Sequence, residues 1–344
     1  MQLQKIGLTA LITLLAGVST PVFLTAKSYA LESSTTNSQY QEIAQNQSEL
    51  NQWLKQGEAL LNKDNYAQAL KIYEQAIKIN PNSALAWHGH GEALYGLQQY
   101  QKAVVSLQKA LDLNPKLIGA WIGLGNALDD AGKPEQALTA YQQALRLNPN
   151  SATSWYNRGI TLGRLNRTEQ AIASYEQAVR LNPEYDSAWY NRGNELAKLN
   201  RDEEAVNSYN RAISINPNKD RAWMNRGIVL NTLGRYEEAY NSFDKVTQLN
   251  PNRATGWLRR GNALLKMRRY QEALASYQRT LKIEPKNEVA WFNRGLALAN
   301  LKQYQEAINA FEQTLIINPN NRQAQENRDL LEKQVRQRHG TETV

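Results

Sequence analysis

Eight tryptophans, Trp53, Trp87, Trp121, Trp155, Trp189, Trp223, Trp257 and Trp291, stand 34 residues apart, and a glycine follows each one four positions later, from Gly57 through Gly193 to Gly295. A strict period of this length belongs to chains built by stacking one small unit. It displaces the expectation that 344 residues form two or so closed domains. Prolines keep the same period, at Pro81, Pro115, Pro149, Pro183, Pro217, Pro251, Pro285 and Pro319, and all but Pro285 follow an aliphatic-Asn pair. Proline cannot continue a helix and restricts the residue before it, so each one closes a unit. The repeats are therefore 50–83, 84–117, 118–151, 152–185, 186–219, 220–253, 254–287 and 288–321.

Within each repeat, apolar and small residues fall at spacings of three and four in two blocks, for example Trp189, Gly193, Leu196 and then Ala205, Tyr209, Ala212. Those spacings put each block on one face of a helix and predict two antiparallel helices per repeat. Gly132-Lys133-Pro134, Asn200 and Gly234 supply the turn between them. A glycine within a helix costs about 1 kcal/mol relative to alanine, so eight of them imply a close approach of the second helix. The expected neighbour is the Ala that opens the second block, with the Trp filling the space beside it.

The pattern Trp, Gly, Leu, Ala, Tyr, Ala, Pro resembles the tetratricopeptide repeat over Leu50 to Asn321. The resemblance implies an all-α solenoid, a right-handed superhelix of antiparallel helix pairs, whose first helices line a concave groove that binds peptides or proteins. Residues 322–338 carry Ala324, Leu331 and Val335 on one side and charges elsewhere, as a capping helix would, and 339–344 are expected to be a disordered tail.

The first thirty residues differ in kind. Lys5 precedes an uncharged run from Ile6 to Ala26, then Ser28-Tyr29-Ala30 fits a small-x-small cleavage site. Residues 1–30 are expected to be a secretory signal peptide. An uncleaved membrane anchor is the rival reading, since the run is long enough to span a bilayer. Either one places the repeats outside the cytoplasm, periplasmic or extracellular, with membrane contact only if the segment stays attached. Residues 31–49 are rich in Ser, Thr, Asn and Gln and are expected to be a flexible polar linker.

Composition narrows function by exclusion. Cysteine is absent, so no disulfide, thiolate metal site or cysteine nucleophile exists. His88 and His90 are two apart rather than four, Asp129-Asp130 is expected to be solvated surface, and no phosphate loop or nucleophile motif is present. The expectation is no enzyme, metal, cofactor or small-molecule substrate, and no nucleic acid, because no continuous basic track runs through the repeats.

Function should lie where residues vary inside the periodic frame. Expected to face the groove are Tyr156, Asn157, Tyr190, Asn191, Met224, Asn225, Phe292 and Asn293 just after each Trp, with Asn194 and Asn262 one turn on. A carboxamide carries both donors and an acceptor, so a row of them can hold the backbone of an extended peptide. This row is similar to the asparagine ladder in the repeat region of O-GlcNAc transferases, although no transferase domain is present. A second reading has the same residues bridging neighbouring helices. Arg158, Arg192, Arg226, Arg260 and Arg294 are expected to be structural, bonding helix-end carbonyls or Glu169, Glu203 and Glu237. Repeat seven holds eight basic residues against two acidic ones, a net charge of +6, while every other repeat lies between −1 and +1. Arg259 and Lys266 there are expected to meet an acidic segment of a partner. The chain is thus expected to be an exported scaffold for a protein or peptide partner, the alternative being a structural module that self-assembles through its ends or convex face.

Overall fold

Why the Trp and Pro periods coincide is visible at every junction between repeats. The computed structural model describes residues 26–341, and side chains from 41 to 337. Residues 1–25, most of the expected signal peptide, and 342–344 lie outside the described residues. Asn80, Asn114, Asn148, Asn182, Asn216 and Asn318 are extended before their prolines, and each side-chain oxygen accepts the backbone N–H two residues on, at 2.9–3.2 Å. From Trp87 onward, every Trp Nε1 donates to the carbonyl of the proline six residues earlier, at 2.8–2.9 Å. Trp53 has no preceding repeat and donates to Glu49 Oε1 on its own helix.

The resulting helix pairs are α1/α2 (Ala26–Leu61, Tyr66–Ile79), α3/α4 (Ala84–Gly96, Tyr100–Leu113), α5/α6 (Ile118–Asp130, Pro134–Leu147) and α7/α8 (Ala152–Arg164, Thr168–Leu181). They continue as α9/α10 (Asp186–Lys198, Asp202–Ile215), α11/α12 (Asp220–Thr232, Tyr236–Leu249), α13/α14 (Ala254–Lys266, Tyr270–Ile283) and α15/α16 (Glu288–Asn300, Tyr304–Ile317), closed by α17 (Arg322–Thr341). Each helix packs on the ones before and after it, and the first helices of α1–α3, α3–α5, α5–α7, α7–α9, α9–α11 and α13–α15 also touch in line. That line is the inner layer of a right-handed all-α solenoid.

Four expectations need correction. The nearest neighbour of each interior glycine is not the opening Ala of the second block but the large residue four beyond it, although at Gly91 the Ala103 carbonyl is also within 3.4 Å of a built Cβ. A Cβ on Gly193 would lie 2.7 Å from the Tyr209 ring, closer than packing permits. The large side chain therefore sits directly against a helix backbone, and Tyr141, Tyr209, Tyr277, Phe243 and Phe311 are the largest fully buried side chains. The tryptophans are only half-buried, because they lie over the junction rather than under it.

Residues 31–49 are not an irregular linker but part of α1, which runs on from the packed segment beginning at Leu50, with the side chains of 41–49 exposed. A polar sequence without Pro or Gly can extend a helix whose costly first turn is already formed by tertiary packing. At the other end, α17 buries Ala324 and Leu331 and packs Val335 against the core they form with α15 and α16. It continues through 339–341, where a disordered tail was expected. No described helix is long and apolar enough to cross a membrane.

Candidate partner-binding groove

The expected asparagine row lies along the inner layer, but part of its bonding capacity is already used. Asn157 Nδ2 donates to Asn126 Oδ1 of the preceding repeat at 2.8 Å, Asn225 to Asn194 at 2.9 Å and Asn293 to Asn262 at 2.8 Å. The same accepting oxygens take the hydroxyls of Tyr141, Tyr209 and Tyr277 at 2.8–3.1 Å. Alternate repeats carry Ile160, Ile228 and Leu296 where Asn126, Asn194 and Asn262 stand, so the bridges join repeats three to four, five to six and seven to eight. Asn191 falls out of this alternation and donates to the Tyr156 hydroxyl at 3.2 Å. The structure thus brings the asparagines together as braces between repeats, the donating Asn157, Asn225 and Asn293 still half-buried at the surface while the accepting oxygens of Asn126, Asn194 and Asn262 are filled.

The apolar neighbours divide. Tyr156 packs against Tyr175 and Tyr185, with ring centroids 6.0 and 4.6 Å apart, and burial raises its phenol pKa. Tyr190 and Phe292 are half-buried against Tyr209 and Phe311. Met224 departs from expectation: it is 6% exposed, part of the buried core that α9–α13 share, and offers little surface to a partner. An unbranched, pliable side chain at the place after the Trp can fold down between repeats where the rigid Tyr rings cannot.

The arginines three after each Trp are structural, though not through the expected partners. Arg158, Arg192, Arg226 and Arg260 donate to the buried hydroxyls of Ser174, Ser208, Ser242 and Ser276 at 2.6–2.7 Å, and each guanidinium lies 5.6–5.9 Å from its Trp ring. Further bonds reach Glu176, Asn210 and Asp244 on the preceding second helix. Glu169, Glu203 and Glu237 instead pair with Arg201, Arg235 and Arg269 of the following repeat. His90 occupies the arginine place in repeat two and contacts Ser106 Oγ at 2.9 Å, and burial lowers its pKa.

Asp129 and Asp130 are not plain solvated surface. Arg164 of repeat four holds both, and Tyr95 of repeat two donates to Asp130 at 2.7 Å, so three repeats are linked by one cluster. Burial raises the pKa of Asp129 against the opposing pull of Arg164. In repeat seven, by contrast, Arg260 and Arg269 are paired, but no carboxylate stands within ion-pair distance of Arg259 or Lys266 among the described residues, and both are exposed. They lie seven apart on α13, hence on the same face. Glu195, a buried carboxylate on α9, is a further candidate whose signal in the sequence is its departure from the period: other repeats put Ala, Thr or Val at that place.

Tetratricopeptide repeat family models match residues 54–118, 156–220 and 258–322, with further repeat models over 125–166 and 220–253. The chain belongs to the tetratricopeptide repeat family. Among solved structures it is similar to YrrB, described as a tetratricopeptide protein with an unusual peptide-binding site, at 27% identity over 54% of this chain and 95% of that one, with a TM-score of 0.50. MamA matches at 24% identity over 48% of this chain and 96% of that one, with a TM-score of 0.45. A repeat protein from Parabacteroides merdae matches at 21% identity over 72% and 98%, with a TM-score of 0.49. No curated protein sequence matches the chain.

Proposed function

We propose that this tetratricopeptide protein is an exported, non-catalytic scaffold that holds an extended segment of a partner protein along its inner face. The observation that carries the reading is the pair Arg259 and Lys266, two exposed cations without carboxylate partners on the inner layer of helices. At the Lys266 place, repeats four and five carry Arg164 and Lys198, which pair with Asp129 and Asp130 and with Glu195, whereas Lys266 and its neighbour Arg259 have no such carboxylate. They would anchor an acidic stretch of the partner, while the Asn157, Asn191 and Asn225 carbonyls accept backbone N–H groups and Tyr156 and Tyr190 give apolar contact. YrrB, with its peptide-binding site, gives the reading a precedent within the fold.

The test uses a fluorescein-labelled extended peptide rich in Glu, with binding followed by anisotropy and by a photo-crosslinker placed at Tyr190. Binding should weaken with salt, and the double variant Arg259→Glu, Lys266→Glu should lose at least tenfold in affinity without a change in melting temperature. Equal binding by that variant, or a crosslink that never reaches the peptide, would sink the reading.

A further inference from the structure

Glu195 is the one acidic residue at a place where every later-stacked repeat is apolar or neutral. The corresponding residues are Ala93, Ala127, Thr161, Val229, Ala263 and Ala297, all buried. Alanine there serves the fold, so packing does not explain a carboxylate. Nor is Glu195 comfortably buried: it is 6% exposed, Lys198 Nζ reaches its Oε1 at 2.7 Å, and its Oε2 is enclosed with no hydrogen-bond partner. A buried carboxylate oxygen left unpaired is destabilising, and chains retain such groups where a ligand completes them.

The preceding repeat is shaped to receive it. Gly163 stands where other repeats carry Leu61, Tyr95, Asp129, Ala197, Asn231, Leu265 or Ala299, and a Cβ there would come within 2.9 Å of Glu195 Oε1. Two departures from the repeat pattern, a missing side chain on α7 and an extra carboxylate on α9, therefore fit each other. Both line an open recess of about 330 Å³ whose walls include Ile160, Tyr175 and Asn191.

The enclosed acceptor at this recess without a partner is Glu195 Oε2. Asn191 spends an N–H on Tyr156 and lies within hydrogen-bond reach of the Tyr175 hydroxyl, and Glu195 Oε2 is unpaired. The two cations at the wall are already committed, Lys198 to Glu195 and Arg164 to Asp129 and Asp130. Ile160 and the Tyr175 ring offer apolar surface to an aliphatic stem. The terminal torsion of a Glu side chain is soft, so a small turn of the carboxylate presents its second oxygen to the recess while Lys198 keeps the first.

We infer that the recess between repeats four and five is a subsite for a cationic side chain of the bound segment, an arginine or lysine whose N–H groups donate to Glu195 Oε2 and Asn191 Oδ1. This rests on the groove being the face that meets the partner, and it adds a polarity: a basic residue at repeats four and five and an acidic stretch at repeat seven fix the direction of the segment.

The experiment uses the full chain with Ile methyl groups labelled, titrated with N-acetyl-arginine methylamide and with its uncharged counterpart N-acetyl-citrulline methylamide. The Ile160 methyl resonance should shift saturably with the arginine compound and not with the citrulline one. Glu195→Gln and Glu195→Ala, the latter placing in repeat five what other repeats carry, should keep the fold, as read by the unshifted remaining methyl spectrum, and weaken the response at least tenfold. A wild-type Ile160 signal that does not move, equal response to citrulline, or unchanged response in both variants overturns the subsite. Because the probe is a single residue and needs no acidic anchor, its failure leaves the binding at Arg259 and Lys266 standing, and the reverse also holds.

Discussion

A tryptophan at the fourth place of each repeat would be replaceable by any large apolar side chain if filling space were its whole task. The bond from Nε1 to a proline carbonyl says otherwise, since Phe, Leu and Met have no donor to offer there. Trp189→Phe should therefore lose about 2 kcal/mol in urea unfolding, from one neutral hydrogen bond and some contact area. Trp53→Phe should lose less, because Trp53 bonds a Glu on its own helix and spans no junction. His90 provides a titration test. Its pKa is lowered by burial, so the folded state holds the neutral ring while the unfolded chain takes up a proton near the ordinary value of about 6.5. Stability attached to the neutral ring is present above that value and lost as pH falls below it, through the lowered folded pKa. Melting temperature should thus fall between pH 7 and 5 in the wild type and less steeply in His90→Asn. At this scale the sequence was informative wherever a residue repeated and silent wherever its partner lay in another repeat. The row of asparagines was legible; that Asn225 would bond Asn194 was not, because the 31-residue separation has meaning only once the stacking angle sets which first helices touch.

Between the two helices of every repeat the chain makes the same turn, and it passes through a left-handed residue each time: Asp64, Gln98, Gly132, Asn166, Asn200, Gly234, Arg268 and Lys302, with φ from 55 to 77°. Glycine takes that conformation freely and asparagine tolerates it, whereas a long side chain is strained there by about 1–2 kcal/mol. Arg268→Gly and Lys302→Gly should each raise stability by about 0.5–1 kcal/mol after the added freedom of the unfolded chain is counted, and Gly234→Ala should lower it by about 1 kcal/mol. Urea midpoints at constant slope would decide both signs. This turn was legible at Gly132, Asn200 and Gly234, and hidden at Gln98, Arg268 and Lys302, whose residue types carry no turn signal. The period places them correctly where local propensity does not. The opposite error arose before Leu50, where polar composition suggested a linker and the chain instead continues as helix from the packed part of α1.

An open stack has two ends, and only neighbours hold each repeat, so the last one must be covered. Here α17 does so with few apolar residues: Ala324, Leu331 and Val335 join the core of α15 and α16 that includes Ile308 and Phe311, while the outer side is charged. Asn318 and Asn321 fix its start by bonding Glu288 at 2.8 Å, and Asn321 Oδ1 receives the Ala324 N–H at 2.9 Å. A chain ending at Asn321 would lose this cover and expose the apolar face of α16, which is the same face that an incoming first helix of another copy would fill. Sedimentation should find the full chain at constant mass over a hundredfold range of concentration, and the shortened chain growing in mass as concentration rises, with its early melting phase confined to repeat eight. If the full chain also grew, end-to-end assembly would be a property of the native protein, and the self-assembling alternative would gain over the scaffold. The groove residues give an independent check on that outcome. Arg259→Glu, Lys266→Glu lies on the inner layer, away from α17, and should leave the mass of both chains unchanged.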